Sequence, residues 1–327
     1  MEKQVQEPDM KLRTLGTTGL HIPPLVFGGN VFGWTADEKT SFSLLDALLE
    51  RGFNTIDTAD VYSAWVPGNK GGESETIIGN WLAAHPGVRD KIVLFTKVGS
   101  DMGGPDKKGL SARWITQAVE DSLRRLKTDY IDLYFSHWAD NSTPYEETLG
   151  AYETLLKAGK IRAIGASNLD ADQLKASLTA ADNAGVPRYQ VLQPEYNLFD
   201  RHSFEGARQA LCIQENIGVV TYYSLASGFL SGKYRSQQDL SKGKRGDRVA
   251  RYLTPRGMAI LEALDNVASR HDAQPAEVAL AWLSTRDGVT APIASATSVP
   301  QVDAFVRAMS LELNPDDLAQ LNDASQE

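Results

Sequence analysis

Residues 55–62 read T-I-D-T-A-D-V-Y. Phe53 and Ile56 make this the end of a short apolar strand, Phe53–Asp57, which closes on a carboxylate, Asp57. A phenol, Tyr62, follows in the next loop. A carboxylate just past a buried strand caps or orients something, and a tyrosine a few residues on either packs or offers a proton. Helical spacing flanks the strand. Phe42, Leu45, Leu48 and Leu49 mark a helix over Ala36–Arg51, stopped at Gly52, and Ile77, Ile78, Trp81 and Leu82 mark another over Ser74–Ala84.

The same unit recurs along the chain. Strands are expected at Leu25–Gly28, Phe53–Asp57, Ile92–Lys97, Ile131–Ser136, Ile161–Ala166, Tyr189–Gln193, Gly218–Tyr222 and Val289–Ala294. Helices lie between them, with start signals at Ser111 and Asp170 and stops at Gly159 and Gly185. The strands are short, apolar and rich in Val, Ile and Leu rather than alternating, as parallel strands covered on both faces are. The fold class is therefore α/β. Eight β/α units in about 300 residues suit a closed (β/α)8 TIM barrel. A doubly wound sheet is the competing architecture, but the G-x-G-x-x-G turn it uses for a dinucleotide is absent, as is a Walker-type loop. Lys11–Thr14 and Leu20–Ile22 around Gly16-Thr17-Thr18-Gly19 predict an N-terminal β-hairpin, and extra helices are expected near the C-terminus, ending with 314–324. Residues 1–9 read as a loose tail and 10–327 as a single barrel domain, in which 231–251 is a long polar surface loop.

Composition narrows the function. The chain has 327 residues, 42% of them hydrophobic, and a net charge of −9. Such acidity disfavours nucleic acid as the main partner. The lone Cys212 rules out an intrachain disulfide and fits a reducing, cytoplasmic setting. Neither a secretory signal nor a membrane-spanning apolar run is present. The five histidines show no metal-ligand spacing, so no metal is expected.

Barrel active sites form at the C-terminal ends of the strands. The residues there are Gly29-Asn30, Asp57, Lys97, Ser136-His137, Ser167-Asn168, Gln193, Tyr222-Tyr223-Ser224 and Ser295-Ala296-Thr297. Taken singly each has a plain structural role: Asp57 a cap, Lys97 a snorkelling side chain, His137 a core histidine, Tyr62 a packing ring. Together they put a titratable or polar group on nearly every strand at one rim.

The strings I-D-T-A-D-V-Y, L-F-T-K-V-G, S-L-R-R-L-K-T-D-Y-I-D-L-Y-F-S-H, I-G-A-S-N, Q-P-E-Y-N and G-F-L-S-G-K-Y resemble the aldo-keto reductase superfamily from Met10 to the C-terminus. The resemblance implies an NADPH-preferring carbonyl reductase with a catalytic tetrad of Asp57, Tyr62, Lys97 and His137. Tyr62 would be the general acid, its pKa brought down by Lys97, with Asp57 keeping Lys97 charged and His137 orienting the carbonyl oxygen. It further implies that Ser167, Asn168 and Gln193 hold the nicotinamide carboxamide, that Tyr222 stacks on the ring, and that Leu225, Ser227, Gly228 and Lys233 wrap the pyrophosphate. Asn168 reads equally well as a helix cap.

Two departures bear on the cofactor. Ser224 replaces a usual proline. Around the last strand, Thr297 stands where an arginine commonly grips the 2′-phosphate, and Ala304 and Phe305 where Glu and Asn commonly hold adenine. Ser295, Thr297 and Gln301 remain as neutral contacts. NADPH is the expected cofactor with NADH possible, and the basic run 242–251 either supplies the missing charge or is a solvated loop. Asn30, Val31, Trp34, Trp65 and Trp138 are expected around an apolar, aromatic-tolerant substrate pocket. Small and aromatic aldehydes, methylglyoxal and sugar-derived carbonyls are all open as substrates. A monomer is the default. The resemblance also admits a cofactor-binding regulatory protein with little turnover.

Overall fold

A computed structural model describes residues 10–326; the expected tail at 1–9 lies outside the described residues. Ten strands are present: β1 Arg13–Thr14, β2 His21–Ile22, β3 Val26–Gly28, β4 Thr55–Asp57, β5 Val93–Val98, β6 Ile131–Ser136, β7 Ile161–Ser167, β8 Val191–Gln193, β9 Gly218–Thr221 and β10 Ala291–Ala294. The first two pair antiparallel. The other eight form a closed parallel barrel in the order β10-β3-β4-β5-β6-β7-β8-β9. The structure thus has the (β/α)8 barrel and the N-terminal hairpin anticipated from the sequence, not an open doubly wound sheet.

Helices alternate with the strands: α1 Glu38–Glu50, α2 Glu73–Ala84, α3 Ala112–Leu126, α4 Tyr145–Lys157, α5 Ala171–Ala184 and α6 Ala207–Gln214. After β9 come a short turn of helix, α7 Gly246–Val249, then α8 Pro255–Arg270 and α9 Pro275–Ser284. Beyond β10 lie α10 Val299–Ser310 and α11 Pro315–Ala324. Local chemistry sets their ends. Ser111 Oγ accepts from Trp114 N at 3.2 Å at the start of α3. Asp170 and Gln173 form a reciprocal capping box on α5, which Gly185 ends in the left-handed conformation.

Burial divides the apolar residues into two sets. The larger lies between barrel and helices. The smaller fills the barrel: Val26, Phe95, Leu133, Phe135, Ala163, Val191, Val220, Ala291 and Ile293, with Leu15 and Ile22 of the hairpin. The hairpin closes the N-terminal end. There Gly16, at φ +51°, lies so close to the starts of β8 and β9 that a Cβ would meet Gly218 N and sit 2.6 Å from Gln190 O. Arg13 Nη1 donates to Thr290 O at 2.9 Å, tying the hairpin to the residue before β10.

Residues 231–251, expected as a long polar surface loop, do lie largely at the surface but carry local structure. They fold into short helical turns, Gln237–Lys242, α7 and Ala250–Tyr252, the first braced by a Ser236–Asp239 capping box. We call this segment the strap. Among the described residues no helix is long and apolar enough to cross a membrane.

Candidate active site

Side chains alternate inward and outward along a strand. The interior residues Phe95, Phe135, Val191, Val220 and Ile293 therefore place Lys97, His137, Gln193, Tyr222 and Ser295, each two residues further on, inward at the C-terminal rim. Ser167 stands two residues beyond Gly165 on the same face of β7. Gly165 is required: a Cβ there would meet Phe135 Cε1 at 2.5 Å. Register aligns the set, with Asp57 opposite Phe95, Lys97 opposite Phe135 and Ser167 opposite Gln193.

Lys97 is the hub. It is wholly buried, and its Nζ donates to Asp57 Oδ2 at 2.7 Å, Tyr62 Oη at 2.8 Å and Thr58 O at 2.9 Å. Three acceptors match the three protons of an ammonium. Asp57 is held from its other side, where Oδ1 accepts from Gln193 Nε2 at 3.0 Å. Tyr62 Oη accepts from Lys97, and its own proton has only a long 3.4 Å contact to Asp57 Oδ2. That proton is free to turn into the barrel mouth.

Burial pulls the Lys97 ammonium below its ordinary range, and Asp57 opposes that shift. Tyr62 departs from the expectation of a lowered pKa. Burial first, and then the Asp57 carboxylate, hold its phenol well above 10. The phenol is thereby kept protonated.

His137 is nearly buried and sits edge-on to Tyr62, ring centroids 6.0 Å apart. Burial, helped by Lys97, pushes its pKa well below 6.5, so the ring is neutral. Its Nδ1 lies 3.2 Å from Ser100 Oγ, which also accepts from Trp138 Nε1 at 3.0 Å. Ser100 was not singled out from the sequence; its position just beyond the end of β5 was the available signal. Trp138 stacks on His137 at 5.3 Å, while Trp65 bridges Trp34 and Tyr62 by edge contacts of 5.6 and 6.0 Å. Three of the expected pocket residues thus line the mouth. Val31 does not: it is 1% exposed and packs in the outer core. Asn30 Oδ1 accepts from Ser295 Oγ at 2.8 Å.

Beside the tetrad, Ser167, Asn168, Gln193 and Tyr222 are mutually linked. Ser167 Oγ donates to Gln193 O at 2.7 Å, and Tyr222 Oη to Asn168 Oδ1 at 2.6 Å. Asn168 Nδ2 donates to His137 O at 3.0 Å. Asn168 has φ +60°, a left-handed turn that asparagine tolerates. It is not the cap of α5, a role taken by Asp170. Leu225 leads into consecutive left-handed residues, Ala226, Ser227 and Gly228. Successive amides in such a run make a concavity suited to an anion, and Lys233 Nζ lies 3.8 Å from where a Gly228 Cβ would be. The amide and hydroxyl groups of this cluster, and the amide-lined turn with its lysine, are of the kind that a carboxamide and a pyrophosphate need.

At the far end the fit is neutral. Thr297 N donates to Gln301 Oε1 at 2.7 Å, and Phe305 is buried edge-on to Phe53. Phe305 faces the core and offers nothing to a ligand. The strap is tied to the mouth: Arg245 lies over Trp34 at 5.0 Å, Arg248 donates to Tyr223 Oη at 3.2 Å, and Arg251 donates to Asp200 Oδ2 at 3.0 Å. No group of three or more potential metal ligands exists among the described residues.

Comparison with known proteins agrees with this geometry. The family model described as "Aldo/keto reductase family" matches residues 24–326. The chain is 84% identical to an uncharacterized 11.2 kDa protein of Pseudescherichia vulneris over 28% of this chain and 90% of that protein. It is 34% identical to the uncharacterized oxidoreductase YrpG of Bacillus subtilis over 96% of this chain and 95% of that one. It is 32% identical to a probable voltage-gated potassium channel subunit beta of Arabidopsis thaliana over 92% of both. The barrel, the rim and the matched span together make this chain a member of the aldo/keto reductase family, which places it among the oxidoreductases.

Proposed function

We propose that the protein reduces aldehydes or ketones to alcohols with a nicotinamide dinucleotide, NADPH or NADH, and that Tyr62 is the general acid. The observation that carries this reading is the Lys97 hub, whose three donated hydrogen bonds leave the Tyr62 proton free to face the mouth. When bound, the cofactor supplies the hydride. The chain's own groups manage the oxygen of the carbonyl. As negative charge grows on that oxygen, Tyr62 delivers its proton. An alkoxide is a far stronger base than a phenolate, so the transfer runs downhill despite the raised phenol pKa. The phenolate left behind is stabilised by Lys97 at 2.8 Å. Asp57 balances the ammonium, and Gln193 fixes Asp57. With the Ser100 hydroxyl proton on His137 Nδ1, Nε2–H becomes a donor to the same oxygen. Ser167, Asn168 and Gln193 orient the carboxamide, Tyr222 covers one face of the ring, and the 226–228 turn with Lys233 holds the phosphates. Ser295, Thr297 and Gln301 contact the far end through neutral groups.

The test is Tyr62→Phe, with turnover of an aldehyde panel followed beside cofactor binding by fluorescence quenching. Turnover should fall by about 10²–10⁴-fold while binding persists. Retained turnover sinks the assignment. A second reading, a regulatory cofactor-binding subunit with little turnover, takes support from the match to a probable channel subunit beta. Tight cofactor binding with no turnover on any carbonyl compound would favour it.

A further inference from the structure

The motif that carries Asp57 and Tyr62 holds another acid, Asp60, for which the proposed chemistry has no use. Asp60 is 1% exposed, and neither of its carboxylate oxygens has a hydrogen-bond partner. Its backbone N–H donates to Lys97 O at 3.2 Å, so it stands directly behind the hub. The nearest cation is already committed: Arg125 Nε donates to Glu75 Oε2 at 2.6 Å, and its Nη2 reaches Ser122 Oγ. The other Glu75 oxygen accepts from Thr96 Oγ1 at 2.6 Å.

Asp60 borders a cavity of about 100 Å³ together with Trp114, Arg125, Asp121 and Lys107. Trp114 Nε1, also buried, is likewise without an acceptor. The carboxylate oxygens themselves are shut off from water. An ionised carboxylate so deep and without a counter-ion is strongly disfavoured. Burial and then Glu75 raise its proton affinity, against Arg125, the nearby Val61 backbone N–H and Lys97.

We propose that Asp60 is a positioning residue of this site: a carboxylic acid kept protonated behind Lys97, whose ionisation tightens the hold of Lys97 and Tyr62 on their protons. The charged and titratable groups facing it are Glu75 from α2, Lys97 from β5, Lys107 from the following loop, Asp121 and Arg125 from α3, Tyr134 from β6 and Tyr152 from α4. In that company its ionisation adds a negative charge behind an ammonium–phenol couple. Both members of the couple then release protons at higher pH than they would beside a neutral group. The inference rests on the role given to Tyr62 and Lys97 above, but its protonation claim does not.

Two measurements test it. The infrared carbonyl band of a buried protonated carboxylic acid should be present in the ligand-free protein and vanish in Asp60→Asn. The alkaline limb of kcat should move to lower pH in Asp60→Asn, by roughly half a unit or more. A band unchanged in Asp60→Asn, or a limb that superimposes on that of the parent protein, overturns the proposal. So does a tenfold loss of kcat across the whole pH range with an unmoved limb, since that marks an ionised carboxylate doing structural work. Absence of any turnover in the parent protein would instead refute the proposed reductase chemistry, and the infrared band would still decide the state of Asp60.

Discussion

Lys97→Met keeps the length of the lysine stem and removes its charge. The change leaves Asp57, 2% exposed, with the Gln193 amide as its remaining close donor. Stranding one member of a buried ion pair costs about 3–5 kcal/mol. Asp57→Asn strands the ammonium instead and should cost a similar amount. Combining the two removes both charges, leaving only imperfectly paired neutral groups at Thr58 O and Tyr62 Oη, on the order of 1–2 kcal/mol. The double variant is therefore expected to be more stable than either single one, with a coupling of about 3 kcal/mol or more. Denaturant midpoints near neutral pH, at unchanged slope, give the three differences. Additive single effects, or a Lys97→Met cost below about 1 kcal/mol, would refute the claim that this pair holds the site together.

Other outcomes follow from the same geometry. His137 has its pKa depressed on folding, so below about 6.5 the unfolded chain binds a proton that the folded chain refuses. Stability should fall on acidification by up to about 1.4 kcal/mol per pH unit, and His137→Gln should flatten that slope; an unchanged slope places the acid sensitivity elsewhere. Gly165→Ala should destabilise by about 1–3 kcal/mol, because its Cβ meets Phe135 at 2.5 Å. Adding Phe135→Leu should recover part of the loss, and no recovery would show that Val191 O at 3.0 Å, rather than the ring, sets the cost.

The barrel was legible because its strands are continuous apolar runs, and the rim because strand alternation carries each interior residue to a polar one two places on. Phe95 to Lys97 and Phe135 to His137 need nothing beyond period two. Strand starts were less legible. Phe53 was read as strand, yet pairing begins at Thr55, where the partner residue Val93 becomes available. What depends on distance in three dimensions was not legible at all. The direction of the Tyr62 shift turns on burial and Asp57 outweighing an adjacent ammonium. Val31 was expected at the pocket, and Phe305 stands where the family pattern has a ligand contact, but both side chains turn to the core. Asp60 lies three residues from Asp57 in one motif, yet it borders a different cavity. The short turns of the strap were not legible because polar composition looks the same in a solvated loop and in turns pinned by arginines.

The hairpin gives the barrel a floor. With Leu15 and Ile22 closing one end and apolar side chains filling the middle, what binds to the barrel rim enters from the C-terminal mouth. Two ligands that share that mouth cannot exchange independently, because whichever seats deeper is boxed in by the one above. The order of arrival and departure is then dictated by architecture rather than by relative affinity. Tightening the outer ligand would slow release of the inner one without touching a single contact the inner one makes.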